Sequence, residues 1–358
     1  MHPDGVGPSA WSRSWSLPRQ SERPYLTRKR VVVVLAVLTF TLLATMVVAA
    51  VVGNVSLHWS QVLWGSEGSV DRTILFGTRL PRIALAAVMG AALGLAGATL
   101  QGLLRNPLAE PHLIGVSGGA ALGATLAVVV GGRAVLGKMW VLPLAAAAGA
   151  FVSVAVLYKI SLIHGRLQPH VLLLAGVVYN AFAGAVILFV NFLADFYQAQ
   201  GLLSWLVGSV AAYGYDLVLP AAAYCGLAGV WLCSQARGLD LLSLGEESAW
   251  QLGADVERVR RVAFLGSSLL VGAVVAVSGM IGFVGLIVPH TLRGLCGADH
   301  RLLLPASALG GAIFLVLADT VARSLVSGVE IPVGVVTALT GGPFFLYLLR
   351  REQRRFYT

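Results

Sequence analysis

Between Arg79 and Gly123 two apolar runs meet at a short polar break, Asn106-Pro107-Leu108-Ala109-Glu110-Pro111. The first run is punctuated by Gly90, Gly94 and Gly97, the second by Gly115, Gly118, Gly119 and Gly123. Glycines near four-residue spacing let membrane helices approach closely, since lipid supplies no hydrophobic force to drive them together. Two prolines inside the break end one helix and start the next. The stretch predicts two tightly packed spans at the centre of a polytopic membrane protein; lipid-facing helices with incidental glycine are the competing reading. Composition agrees with a membrane chain. Of 358 residues, 57% are hydrophobic and only 11% charged, with mean hydropathy +0.83, which excludes a soluble globule.

Residues 1–30 are polar, end in Arg28-Lys29-Arg30 and have the composition of a disordered tail. The apolar run over 31–53 exceeds a signal-peptide core of about 7–15 residues and reads as an uncleaved first span. Further spans are predicted at 80–104, 112–131, 140–162, 171–193, 215–234, 262–279, 281–293, 302–324 and 332–349, about ten in all. A surface helix is expected between 194 and 212, and a basic tail over 350–358. With the N-terminus inside, the outer segments hold only Arg72, Arg79, Arg82, Arg133, Lys138 and Arg323 of the 25 Lys and Arg. The excess on the other side obeys the positive-inside rule and places both termini in the cytoplasm. The net charge of +9 therefore expresses membrane orientation and implies no nucleic-acid partner. The expected fold class is an all-α polytopic membrane protein.

Cys225, Cys233 and Cys296 are too scattered for a disulfide framework or a metal site. His290 and His300 lack a cysteine or acidic cluster at ligand spacing, so no metal is expected; His300 is placed in a surface loop. No Gly-x-x-x-x-Gly-Lys-Ser/Thr occurs, which leaves no phosphate cradle for ATP, and no nucleophile–base pair stands out. Neither enzymatic activity nor a resident cofactor is expected. Asp319 and Asp195 are acids in or near apolar surroundings, hence functional candidates. For Asp319 a structural hydrogen bond is the preferred reading, and Arg323, one helical turn on, is placed to neutralise it.

The polar insert 234–261 contains Ser243, Glu246, Gly253 and Asp255 at spacings that predict two short helices. Ser243 and Glu246 form a capping-box pattern, Gly253 a stop, and Asp255 a cap for a second helix running to Arg261. The two would make an inner-face knob around 243–261 that a cytoplasmic partner could grip, or an ordinary surface loop.

Glu247-Ser248-Ala249, followed by Gly253, resembles the EAA-x-x-x-G signature of ABC importer permeases. Other motifs narrow the resemblance: Arg79-Leu80-Pro81-Arg82, Gln101 with Arg105-Asn106-Pro107-Leu108-Ala109, Gly115-Val116-Ser117-Gly118, Gly282-Phe283-Val284-Gly285-Leu286, Pro289-His290 with Arg293, Gly297-Ala298-Asp299-His300-Arg301, and Ile331-Pro332-Val333-Gly334. In order and in register from Arg79 to Leu349, they are similar to the iron-chelate and cobalamin permeases of type II importers.

That resemblance implies a homodimer of ten-span permeases in a bacterial inner membrane. Two cytoplasmic ATPase subunits, which carry the ATP and magnesium, and a periplasmic binding protein complete it. Gly245, Glu246, Glu247, Ala249, Leu252 and Gly253 would couple to the ATPase. Arg79, Arg82 and Arg323 would meet acidic residues of the binding protein; interfacial snorkelling is the alternative. Leu167, Gln168, Pro169 and His170 fall at the family's inner gate, with Pro169 and His170 departing from the small hydroxyl residues of the cobalamin relative. Asn106, Pro107, Gly115, Gly118, Pro289 and Asp319 are motif positions of structural character. Residues 172–192 and 333–348 would line the path. The expected function is ATP-driven import of a ferric siderophore, haem or cobalamin by alternating access. Leu108–Pro111 and Gln251–Gly253 lean slightly toward cobalamin and haem, although iron chelates are the commoner cargo. A stand-alone ion-coupled transporter would need charged groups at the bilayer midplane, which are nearly absent.

Overall fold

The computed structural model describes residues 26–55, 57–64, 69–131, 140–212, 214–326 and 329–356. Fifteen α-helices are named here. They are α1 (Arg28–Val51), α2 (Trp59–Trp64), α3 (Val70–Thr73), α4 (Leu80–Leu103), α5 (Val116–Gly131), α6 (Val141–Ser161), α7 (Pro169–Leu193), α8 (Phe196–Leu206), α9 (Val218–Cys233), α10 (Ala236–Ser243), α11 (Glu246–Gln251), α12 (Val256–Ser278), α13 (Val284–Cys296), α14 (His300–Ser324) and α15 (Val333–Phe356). A two-residue antiparallel ribbon, β1 (Leu162–Ile163) with β2 (Arg166–Leu167), joins α6 to α7.

Six helical stretches are long and apolar enough to cross a bilayer: Arg28–Val51, Val70–Leu103, Val141–Ser161, Pro169–Leu193, Val256–Ser278 and His300–Ser324. The bent pair α9–α10 would make a seventh, and Val116–Gly131, Val284–Cys296 and Val333–Leu348 are shorter apolar helices. All lie where a span is predicted, which makes the chain an α-helical polytopic protein. Several boundaries differ. Span two begins early, because α3 continues through a π turn, Ile74–Arg79, into α4 without a break. Span three begins late, at Val116, after a 3-10 turn over Pro111–Ile114 that Gly115 closes at φ 85°. Span eight is displaced toward the C-terminus, and α15 runs on through Phe356 into the predicted tail.

Burial divides the bundle into two layers. The membrane helices α4, α12 and α14 are enclosed on most sides, whereas α1, α6 and α7 turn most of their apolar surface outward. The close approach predicted from the glycines is made with other helices rather than between the two spans: α4 packs on α14, and α5 on α6 through Gly119 and Gly123 against Gly149. A Cβ on Gly90 would strike the backbone carbonyl of Gly311, and one on Gly311 would strike the carbonyl of Gly90. Such reciprocal backbone contact permits dense packing and Cα–H···O attraction. Gly311→Leu is therefore expected to prevent stable packing of α4 on α14, since overpacking costs about 1–3 kcal/mol or more where backbone must move. Size-exclusion profiles in detergent should show the folded peak collapsing, with Ala312→Leu as a neighbouring control that tests any buried site.

Candidate functional site

The insert forms a knob, but not by the predicted capping box. Ser243 ends α10, and its hydroxyl donates to the Asp240 carbonyl at 2.6 Å. Gly245 stands at the N-cap of α11 with φ 118°, a conformation open to glycine alone, and no side chain caps the helix. Glu246 is thereby free to pair with Arg260, and with Arg105 Nη2 at 3.6 Å. Ala249 is fully buried and seats α11, while Gly253 at φ 84° reverses the chain as predicted. Asp255 caps the next helix by accepting from the Arg258 backbone N–H at 3.0 Å. That helix is no separate element: it is α12, continuous with the seventh predicted span. Glu247 lines a cavity of about 620 Å³ with Arg166, Trp250 and Glu257. At the tip Trp250 and Leu252 are 73% and 60% exposed, an apolar patch on an otherwise charged knob.

The predicted gate lies beside the knob. His164 (φ 51°) and Gly165 (φ 76°) turn the ribbon, and two successive left-handed residues are what a tight two-residue hairpin requires. Leu167 is fully buried, Gln168 caps α7 through its backbone, Pro169 opens the helix and His170 is exposed. Glu257 accepts from the Leu167 backbone N–H. Nearby, His300 is buried at the start of α14 rather than in a surface loop. Its backbone N–H and Nδ1 reach Asp240 Oδ1 at 2.9 and 2.7 Å. Arg301 donates to Asp299 at 2.6 Å, and this bond holds the Asp299 carboxyl below its ordinary range.

The break between α4 and α5 and the start of α13 meet in the middle of the bundle. Asn106 Oδ1 accepts from the Leu108 N–H at 2.9 Å, an Asx turn that places Pro107 and reverses the chain. Glu110 then accepts from the Phe283 N–H at 2.5 Å, at the N-terminus of α13. His112 Nε2 donates to the Ile281 carbonyl at 2.6 Å, which sets the ring so that Nδ1 meets the Ser117 hydroxyl at 2.5 Å. Asn180 of α7 donates to the His112 carbonyl at 2.7 Å and packs on Gly118. Pro289, inside α13, has no N–H for the Gly285 carbonyl; Gln101 of α4 donates to that carbonyl at 3.3 Å instead. Glu110, His112, Ser117, Asn180, Ile187 and Phe283 surround a cavity of about 420 Å³.

The three predicted docking arginines gather at the other end of α4. Its 24 residues separate that end from the knob by about 36 Å. Arg79 donates to the carbonyls of Ala50, at 3.1 Å, and Val55. Arg82 Nε donates to Asp319 Oδ1 at 3.0 Å, and Nη1 to Glu330 at 2.7 Å. Arg323 Nε lies 3.0 Å from Asp319 Oδ2, in ionic contact although its N–H direction misses the oxygen, and Nη2 reaches the Ala49 carbonyl at 3.4 Å. Arg79 and Arg323 are buried, so neither snorkels. All three still line one cavity of about 320 Å³ with Thr78 and Glu330.

A model of the FecCD transport family matches residues 40–351. The chain belongs to the FecCD transport family. Among its relatives, the hemin transport system permease protein HmuU of Yersinia pestis is 42% identical over 311 residues, 86% of this chain and 92% of that one. The vitamin B12 import system permease protein BtuC of Vibrio vulnificus is 40% identical over 321 residues, 87% and 94% of the two chains. In three dimensions the FecCD chain is similar to a metal-chelate type ABC transporter solved in an inward-facing conformation. The TM-score is 0.78 at 35% identity, covering 89% of this chain and 99% of the other.

Within this FecCD chain the predicted coupling residues do form one compact knob, and the gate turn lies against the same first turn of α12. Asp319 unites two of the three arginines. Asp195, a functional candidate from its surroundings, caps α8 in a reciprocal pair with Gln198 and so has a structural explanation. Sequence reasoning passed over Trp250, Glu257 and Arg260. Their signal is slight: an exposed aromatic on a six-residue helix, and charges inside the run Glu257-Arg258-Val259-Arg260-Arg261 that match no motif.

Proposed function

We propose that this FecCD chain is the permease subunit of an ATP-driven importer for a metal chelate, haem or cobalamin, moving its cargo by alternating access. In this reading all ten apolar segments cross the inner membrane of a bacterium and both termini are cytoplasmic. Two copies pair about the path. Each receives an ATPase subunit, with its ATP and magnesium, at the Glu246 knob, and a periplasmic binding protein docks at the opposite end. The observation that carries the proposal is the knob itself. A short helix seated by buried Ala249, pinned through Glu246 to Arg260 of α12 and to Arg105 just past the end of α4, and tipped with Trp250 and Leu252, is built to receive force.

The opposite end suits a charged partner. Arg79, Arg82 and Arg323 line a cavity that an incoming carboxylate could enter, and exposed Glu330 already samples that chemistry on Arg82. Exposed pairs each contribute about 0–1 kcal/mol, so their service is orientation and encounter rate more than affinity. The path itself is apolar: α7 leaves Leu174, Val178, Phe182 and Phe189 exposed in a single copy. Such a lining holds a bulky chelate loosely, which favours release.

Reconstitution with ATPase and binding-protein partners in vesicles tests the proposal. Uptake of ferric siderophore, haem and cobalamin is measured with and without ATP. ATP-dependent accumulation of one of the three is expected. Accumulation driven by an ion gradient without ATP would overturn the proposal.

A further inference from the structure

The β1–β2 ribbon and the Glu246 knob are far apart in sequence, yet the first turns of α12 join them. In the ribbon Ile163 faces Arg166 and Leu162 faces Leu167, while the Gln168 N–H donates to the Ser161 carbonyl at 3.0 Å. Hydrogen-bonded and non-hydrogen-bonded pairs alternate in an antiparallel ladder, so the Leu167 N–H points out of the ribbon. An N–H beside a buried side chain costs free energy unless something accepts it. Glu257 accepts it with both carboxylate oxygens at 3.2 Å.

Glu257 is not needed to start its own helix, because Asp255 already caps α12. One turn further on, Arg260 pairs with Glu246 of the knob, and Arg261 Nε lies 3.8 Å from Glu257. The first turns of α12 thus hold the knob with one side chain and the gate ribbon with another. Ala254 and Asp255 are the only link between Gly253 and the helix start, too short to absorb a displacement of the knob.

We propose that Glu257 is a positioning residue that transmits displacement of the knob to the ribbon and to the Gln168–His170 turn beyond it. The inference rests on reading the knob as the ATPase contact. What matters is an acceptor for the Leu167 N–H, so glutamine should serve in place of glutamate and alanine should not.

The test uses the complete complex in vesicles, with permease, ATPase and binding protein, as wild type, Glu257→Ala and Glu257→Gln. Spin labels at Ile163→Cys in both copies, in a cysteine-free background, read the ribbon. Transport per ATP hydrolysed is expected to fall about tenfold in Glu257→Ala, as for a buried donor left without its acceptor. The nucleotide-dependent change in label-to-label distance should vanish with it, and Glu257→Gln should keep both. Wild-type coupling and ribbon movement in Glu257→Ala would overturn the proposal. Equal defects in the two variants would also overturn it, since charge and not the hydrogen bond would then be at work. Failure of the importer reading looks different: a wild-type complex that moves cargo without ATP.

Discussion

Asp319→Leu is expected to abolish folded protein. The carboxylate is 1% exposed and sits between Arg82, at 3.0 Å, and Arg323, also at 3.0 Å. Arg323 is itself only 5% exposed. Taking away the shared anion leaves like charges facing each other away from water. Breaking a buried pair from one side costs about 3–5 kcal/mol, against a total stability of about 5–15 kcal/mol. Asp319→Asn keeps an acceptor for Arg82 and should be milder. Asp319→Leu combined with Arg323→Leu should recover part of the loss, because the uncompensated cation goes too. Thermal melting followed by size-exclusion in detergent reads all three. A single Asp319→Leu variant melting within about 3 °C of wild type would mean that the cluster does not hold this end of the bundle together.

Under the proposed function, Trp250→Ala should leave the permease fold intact and weaken its hold on the ATPase subunit. The indole is 73% exposed in the single chain, so its removal opens no internal void. Aromatic anchors at interface centres commonly carry about 2 kcal/mol or more, which corresponds to roughly thirtyfold weaker association. Trp250→Ala with Leu252→Ala should lower retention of the ATPase subunit further, with an unchanged permease melting profile. Retention equal to wild type in the double variant would move the motor contact away from this tip. The companion change Glu246→Ala acts differently. It frees Arg260, which is buried, and should lower stability as well as coupling.

Much of the architecture was legible in the residues. Apolar runs marked the long membrane helices among the described residues, and the four-residue glycine spacing marked α4 and α5 as close-packing helices without telling that their partners are α14 and α6. These are local signals, readable wherever the requirement is length, hydropathy or a missing side chain. Requirements set by distant partners were not readable. Arg82 meets Asp319 and Glu330 across more than two hundred positions, and nothing near Arg82 announces it. The predicted box at Ser243 failed because Gly245 turns the chain through a positive φ and sends the Ser243 hydroxyl to its own helix. The Pro111–Gly115 segment read as membrane helix because its apolar residues continue the run; Gly115 and the bonds of His112 hold it as a turn instead. In the candidate site the knob was foreseen and its fastenings were not. Glu246 reads as half of a capping box and Glu257 as one charge of the second helix, until the fold brings Arg260 and the Leu167 N–H to them.

The seat of α1 has a consequence for how the chain is made. This helix packs chiefly on α14, and its last carbonyls are held by Arg79 and by Arg323. On the ribosome α1 is therefore made well before its berth is complete, since 274 positions separate Ala49 from Arg323. Until then it must wait in lipid, which its apolar surface beyond Arg30 allows. A chain cut short before residue 323 would leave that first helix drifting, and such truncated products should be early targets for membrane proteases.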